Sequence, residues 1–128
     1  MVVDDEAPSA AALAELLRDE GHDVITADRG YRALYRASMS RIDMVIANLM
    51  LADMSGAQLY SELKACGRAP GFFVLMSAAA DSFEEASAGL GHPLLSKPVS
   101  LQRLRAVVAE RTEAIGHDRR RLRNDGTR

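Results

Sequence analysis

Short apolar runs alternate along the chain with stretches in which apolar residues recur every three or four positions. Val2–Val3 opens as a short apolar run, and Leu13, Leu16 and Leu17 follow at helical spacing, with Pro8 near the expected helix start. Gly21 ends that helix. Val24–Ile25–Thr26 predicts a second strand, and Tyr31, Leu34 and Tyr35 mark a second helix. Met44–Val45–Ile46–Ala47 predicts a third strand, apolar throughout, as expected of one covered on both faces. Leu59, Leu63 and Cys66 line one face of a third helix, which Gly67 to Gly71, with Pro70, breaks. Phe72–Phe73–Val74–Leu75–Met76 is the clearest strand. A weaker helix around Phe83–Ala88 follows, with Asp81 or Ser82 as its cap. Leu94–Leu95 predicts a short fifth strand, and Ser100 caps a last helix whose face is Leu101, Leu104 and Val108. Five strands alternating with five helices argue for βαβ units and a parallel sheet with helices on both faces.

Composition narrows the picture. A chain of 128 residues, 48% apolar and 27% charged, suits one soluble domain. A formal net charge of −2 and a pI near 5.9 argue against general binding to nucleic acid or an anionic membrane. The single cysteine, Cys66, excludes an intrachain disulfide, fits a reducing cytoplasm, and is expected core-facing or half-buried. No apolar run approaches the ~20 residues that span a bilayer. Acidic residues follow the first two valines, so no signal peptide is expected. His22, His92 and His117 show no metal-ligand spacing and are expected on the surface or in loops. From Glu113 the apolar pattern fades, which predicts a domain over 1–112 and a polar, Arg-rich tail over 113–128. The tail carries five arginines against three acids (+2), and the rest carries eleven bases against fifteen acids (−4).

Candidate chemistry lies at the strand ends, because ligands of open parallel sheets bind beyond the carboxyl ends of the strands. Asp4, Asp5 and Glu6 follow the first strand, Asn48 ends the third, Ser77 ends the fourth, and Lys97, followed by Pro98, ends the fifth. Two adjacent carboxylates are costly together unless a cation separates them. Such oxygen ligands suit Mg²⁺, and a lysine with a hydroxyl opposite would suit a phosphoryl group.

VVDDE at 2–6, DMVIANLMLADMSG at 43–56, LMSA at 75–78 and SKP at 96–98, in this order and spacing, resemble the response-regulator receiver domain, of the chemotaxis-regulator type. The resemblance covers residues 1 to about 112 and implies a flavodoxin-like, five-stranded parallel sheet in the order 2-1-3-4-5. It further implies that Asp4, Asp5 and the backbone carbonyl of Met50 hold Mg²⁺, that Ser77 is a switch hydroxyl, and that Lys97 pairs with the phosphoryl group. The Lys97–Pro98 bond is commonly cis in that family. Four positions depart from the family pattern. Asn48 stands at the phosphoacceptor position, Leu94 replaces a switching aromatic three residues before the lysine, Ala52 replaces a common proline, and the segment from Ser77 to Lys97 is short. The first strand also has only Met1–Val3 before Asp4, so a natural start a few residues upstream is expected.

An amide is a poor nucleophile where a carboxylate is a good one. The expected function is therefore that of a two-component or phosphorelay receiver, not an enzyme. It is expected to act in the cytoplasm by contact with signalling proteins (a histidine kinase or an effector) or as a homodimer, without nucleic acid, membrane or ordinary aspartyl phosphorylation. Weak Mg²⁺ binding is expected, since Asn48 lowers the negative charge of the site. Asp53 is a minor candidate for a substitute acceptor. Competing readings are a conventional receiver in which Asn48 is an engineered Asp-to-Asn substitution, an aspartate-nucleophile phosphatase on a similar fold, and a flavin-binding module. The phosphatase would separate its two acids by one residue, and the flavin module would want a Ser/Thr/Gly-rich loop where Asp4–Asp5–Glu6 stands.

Overall fold

The structure, a computed structural model, describes residues 1–78 and 91–110. The elements run β1 (Val2–Val3), α1 (Ala7–Asp19), β2 (Thr26–Ala27), α2 (Gly30–Met39), β3 (Met44–Asn48), α3 (Gly56–Ala65), β4 (Phe72–Ser77) and β5 (Leu94–Ser96). A further helix, here α4, covers 101–110. The strands pair in parallel in the order β2-β1-β3-β4-β5, as the resemblance implied. The expected helix around Phe83–Ala88, with its cap, and the expected tail over 113–128 lie outside the described residues.

Two apolar clusters sandwich the sheet. On one face Val3, Val45, Ala47, Phe73 and Leu75 meet Ala33 and Ala37 of α2 and Leu59 and Leu63 of α3. On the other, Val2, Ile46, Val74, Met76 and Leu95 meet Ala10, Leu13 and Leu17 of α1 and Leu104 of α4. Alternate residues of one strand thus serve opposite layers, which is why β3 and β4 read as unbroken apolar runs. Full burial of each large aliphatic side chain contributes roughly 1.5–3 kcal/mol. Ser100 caps α4 as expected, its hydroxyl accepting from the Arg103 amide at 3.4 Å.

Four expectations need correction. The second strand lies at Thr26–Ala27, not Val24–Thr26, because only these two residues find register against Val2 and Val3. Tyr31 and Tyr35 lie in a helix, but they face solvent (54% and 64% exposed), and α2 packs through Gly30, Ala33 and Ala37 instead. Leu16 is likewise exposed, and α1 buries Ala10 and Ala14 beside Leu13 and Leu17. In α1 the face is right except at Leu16, and in α2 the period is right and the phase is displaced, because small side chains allow the helix to approach the sheet closely. Cys66 is exposed, since α3 ends at Ala65 and Cys66 turns off the buried face as its C-cap. His92 is half-buried, its ring 4.3 Å from that of Tyr60 and 5.0 Å from that of Phe73.

β1 is short, and its start is unusual. The Met1 ammonium donates to the Met44 carbonyl at 2.7 Å. It sits at a groove of ≈ 650 Å³ lined by Val24, Ile25, Ile42 and Met44 among others. Burial lowers its pKa from 8.0 to about 6, and the Asp43 charge offsets this only in part. Between those two values the unfolded chain binds a proton that the folded chain does not, so stability rises with pH across that window. We expect a gain of about 2 kcal/mol from pH 6 to pH 8 in urea unfolding. Acetylation, or residues added ahead of Met1, should flatten the slope. A slope that survives acetylation would place the titrating group elsewhere.

Candidate functional site

Each strand end delivers one part of a polar cluster. β1 stops at Val3 because Asp4 begins a turn, in which the Asp4 carboxylate accepts the Glu6 amide at 2.9 Å. β3 runs in register with β4 as far as Asn48↔Met76, and the Leu49 amide then bonds the Met76 carbonyl at 2.8 Å. β4 reaches one residue further to pair Ser77 with Ser96. The Ser77 carbonyl takes the Lys97 amide at 2.9 Å, which aims Lys97 back over the sheet end. The Lys97–Pro98 peptide is cis.

Asp4 is 1% exposed and Asn48 8%. The Asn48 Nδ2 donates to Asp4 Oδ1 at 2.8 Å and to Asp5 Oδ1 at 3.0 Å. Lys97 Nζ donates to Asp4 Oδ2 at 2.7 Å, with side-chain exposures of 14% and 0% for the two partners. Burial pushes the Asp4 carboxyl up, but hydrogen bonds from Lys97, the Glu6 amide and Ser9, with the Lys97 charge, outweigh it and hold it below its ordinary 3.8. Both faces of this small network therefore see an anion neutralised by donors.

The amide orientation follows from chemistry. Two ionised carboxylates only accept hydrogen bonds, so the Asn48 NH₂ must face them. Among the described residues its Oδ1 is then left buried without a hydrogen-bond partner, a costly arrangement for a carbonyl oxygen.

The loop after β3 folds back on itself. Met50 bridges Ser55, the Leu51 amide bonds the Met54 carbonyl, and the Gly56 amide bonds the Leu49 carbonyl at 2.8 Å. Gly56 has no room for a side chain, since a Cβ there would stand 2.5 Å from the Asn48 carbonyl oxygen. Ser55 caps α3 through the Gln58 amide. Asp53 is engaged elsewhere. Its two oxygens accept the amides of Gly30 and Tyr31 at 2.8 and 3.0 Å, so it caps α2 from the loop. Desolvation raises the Asp53 carboxyl, and these amides with the Arg29 charge hold it below its ordinary value. These bonds favour a capping role for Asp53 over that of a substitute acceptor. Sequence reasoning missed the cap, for which the only local signal was the absence of a capping side chain at Arg29.

The structure thus brings Asp4, Asp5, Asn48 and Lys97 into one hydrogen-bonded set. Ser77 lies at its edge through the backbone, Leu94 is half-buried against Leu75 two residues back along β4, and Met50 lies in the loop beyond Asn48. As arranged, the Asn48 NH₂ occupies one oxygen of each carboxylate, so a divalent cation held by Asp4, Asp5 and the Met50 carbonyl would have to displace it. Among the described residues no three His, Cys, Asp or Glu side chains could share a metal. No helix among the described residues is long and apolar enough to cross a membrane.

Comparison with known proteins places this geometry. The sequence model of the response regulator receiver domain matches residues 1–109. TcrX of Mycobacterium tuberculosis (strain ATCC 25618 / H37Rv) is 37% identical over 115 residues, covering 84% of this chain and 48% of that protein. The transcriptional regulatory protein KdpE of the same strain is 36% identical over 120 residues, covering 89% and 52%. The chain therefore spans about half the length of these relatives. Among solved structures, the CheY-like response regulator receiver domain from Methylobacillus flagellatus superposes with a TM-score of 0.72 at 26% identity, covering 86% of this chain and 94% of that one. The strand order, the match over nearly all of the described residues and these relatives agree: the chain belongs to the response-regulator receiver family.

Proposed function

We propose that this receiver signals by protein–protein contact and is not switched by aspartyl phosphorylation. The observation that carries the reading is the Asn48 amide, which donates to Asp4 and Asp5 from the position where the family's phosphoacceptor stands. In this reading Asp4, Asp5, Ser77 and Lys97 keep the family's constellation, Asn48 supplies no nucleophile, and the Met50 carbonyl is the remaining potential metal ligand. Mg²⁺ binding is correspondingly weak, because it requires the amide to give up both carboxylates. The chain performs no catalysis of its own and acts in the cytoplasm. The receiver domain is assigned to residues 1–112, and 113–128 is a polar, Arg-rich segment by composition.

A receiver is a two-state ensemble, and a partner with higher affinity for one state shifts it by that difference. Phosphorylation is one way to create the difference, not a requirement for it. The test is an amide NMR spectrum with Mg²⁺ and beryllofluoride. Unchanged shifts around Ser77 and Lys97 are expected, and family-like shifts would overturn the reading.

The partner surface proposed is the edge around β5 and α4. Leu94 carries no hydroxyl to follow Ser77, and it packs half-buried against the core. Leu94→Asp should weaken binding to the cognate histidine kinase or effector at least about tenfold, which is about 1.4 kcal/mol, with circular dichroism unchanged. Unchanged affinity would move the interface elsewhere.

A further inference from the structure

Three of the five large apolar side chains exposed among the described residues lie on one helix: Tyr31, Tyr35 and Met39, at 54%, 64% and 69% exposure. They fall at i, i+4 and i+8 of α2, so they form one row about 12 Å long on the helix surface. Ala33 and Ala37 on the opposite side are packed against the sheet, and Gly30 is buried against Met54, so the core makes no use of this row. Arg32 and Arg36 run parallel to it, one position on. Residues 28–41 hold Arg29, Arg32, Arg36 and Arg41 against Asp28, or +3, on a chain whose net charge is −2. Of these, Arg32 is paired with Asp28 at 3.1 Å and Arg41 with Asp43 at 3.6 Å, both in exposed contacts that contribute little.

We propose that the Tyr31–Tyr35–Met39 face of α2 is a docking surface for an acidic amphipathic helix of a partner protein. Two tyrosines present large, stiff, amphipathic area, and methionine adapts to a variable surface. A row with a spacing of four is the ridge that interdigitates with another helix. The arginine flank on an otherwise acidic chain selects a partner helix with a carboxylate flank, and repels basic ones. Nucleic acid fits less well, since the chain is acidic overall and the row ends on Met39, which offers no stacking plane. The surface is independent of the chemistry at Asn48. It is nonetheless tied to that loop, because Asp53 holds the first two amides of α2.

The probe is a synthetic helical peptide with leucines at i, i+4 and i+8 on one face and a row of glutamates beside them, titrated into the full chain by fluorescence anisotropy. We expect it to bind at least about tenfold more tightly than a scrambled peptide of the same composition, with amide shifts confined to α2 and its neighbours. Tyr35→Ser with Met39→Ser should remove the difference, and both positions are exposed enough to spare the fold. Arg32→Glu with Arg36→Glu should exchange the preference to a lysine-flanked peptide, a gain that misfolding could not produce. Equal binding of the scrambled peptide would overturn the proposal. So would tighter binding of single-stranded oligothymidylate at the same residues, or sedimentation showing that the face pairs with a second copy of the chain.

Discussion

Incubated with Mg²⁺ and either acetyl phosphate or a phosphorylated histidine kinase, the chain should gain no phosphoryl mass, whereas Asn48→Asp should bind Mg²⁺ at least about tenfold more tightly than the parent and become a phosphorylation substrate. The first half follows from the amide, whose neutral oxygen does not displace a leaving group from phosphorus under these conditions. The second follows from what surrounds it. Asp4 and Asp5 already flank the position 48 side chain, and Asp4 is held in place by Lys97 and the Glu6 amide.

The substitution also has a stability signature that separates charge from chemistry. It deletes two charge-assisted bonds and sets a third carboxylate against two others, one of them fully buried. Each such bond contributes roughly 1.5–3 kcal/mol, and clustered like charges repel. Without metal, Asn48→Asp should lose about 3 kcal/mol. Mg²⁺ should restore that loss in the variant and leave the parent's Tm unmoved. Intact mass after the phosphodonor step reads the chemistry, and thermal melts across a Mg²⁺ titration read the charge. A phosphoryl gain on the unmutated chain would overturn the proposed function, and a gain mapped to Asp53 would show that the acceptor had moved.

What the sequence made legible was periodicity and order. β3 and β4 are buried on both faces, so their apolar runs had no alternation to confuse, and the polar residues that end them could be named with certainty of position. Asp4, Asn48, Ser77 and Lys97 were placed together by that reasoning, and the fold has the implied strand order. Helix phase was legible at Leu13 and Leu17, at Leu59 and Leu63 and at Leu104, but not in α2. In α2 the largest side chains, Tyr31 and Tyr35, drew the apolar face to themselves, yet Ala33 and Ala37 carry the packing. Hydrophobicity counted by residue size favours big side chains, while close approach of helix to sheet favours small ones. The Asp53 cap was hidden for a different reason. It joins residues 23 apart in sequence, and no local spacing encodes such a contact. The direction of the Asn48 amide needed the two carboxylates in place before hydrogen-bonding capacity could decide it.

Lys97→Met should destabilise the fold by about 3 kcal/mol at pH 7, as much as Asn48→Asp without metal, because it strands a buried carboxylate. Asp4 is fully buried and Lys97 nearly so, which removes this pair from the class of exposed bridges that contribute little. The pH dependence distinguishes this from a packing defect. In the parent the folded-state pKa of Asp4 is lowered from 3.8, so its contribution is present above that value and is lost as pH falls through the lower folded value. In Lys97→Met the strongest donor to Asp4 is gone and burial dominates, which raises the folded pKa above the unfolded one. The folded variant then binds a proton before the unfolded chain does, and acidification from pH 7 toward 4 stabilises it relative to the parent. Asp4→Asn in the Lys97→Met background should recover most of the loss, since no buried anion remains to be neutralised and Asn48 can turn its orphaned Oδ1 toward the new amide. Urea unfolding of the four chains at pH 7 and pH 4.5 completes the double-mutant cycle. A loss at pH 7 under about 1 kcal/mol, or one that does not shrink on acidification, would mean that the Asp4 charge is satisfied without Lys97.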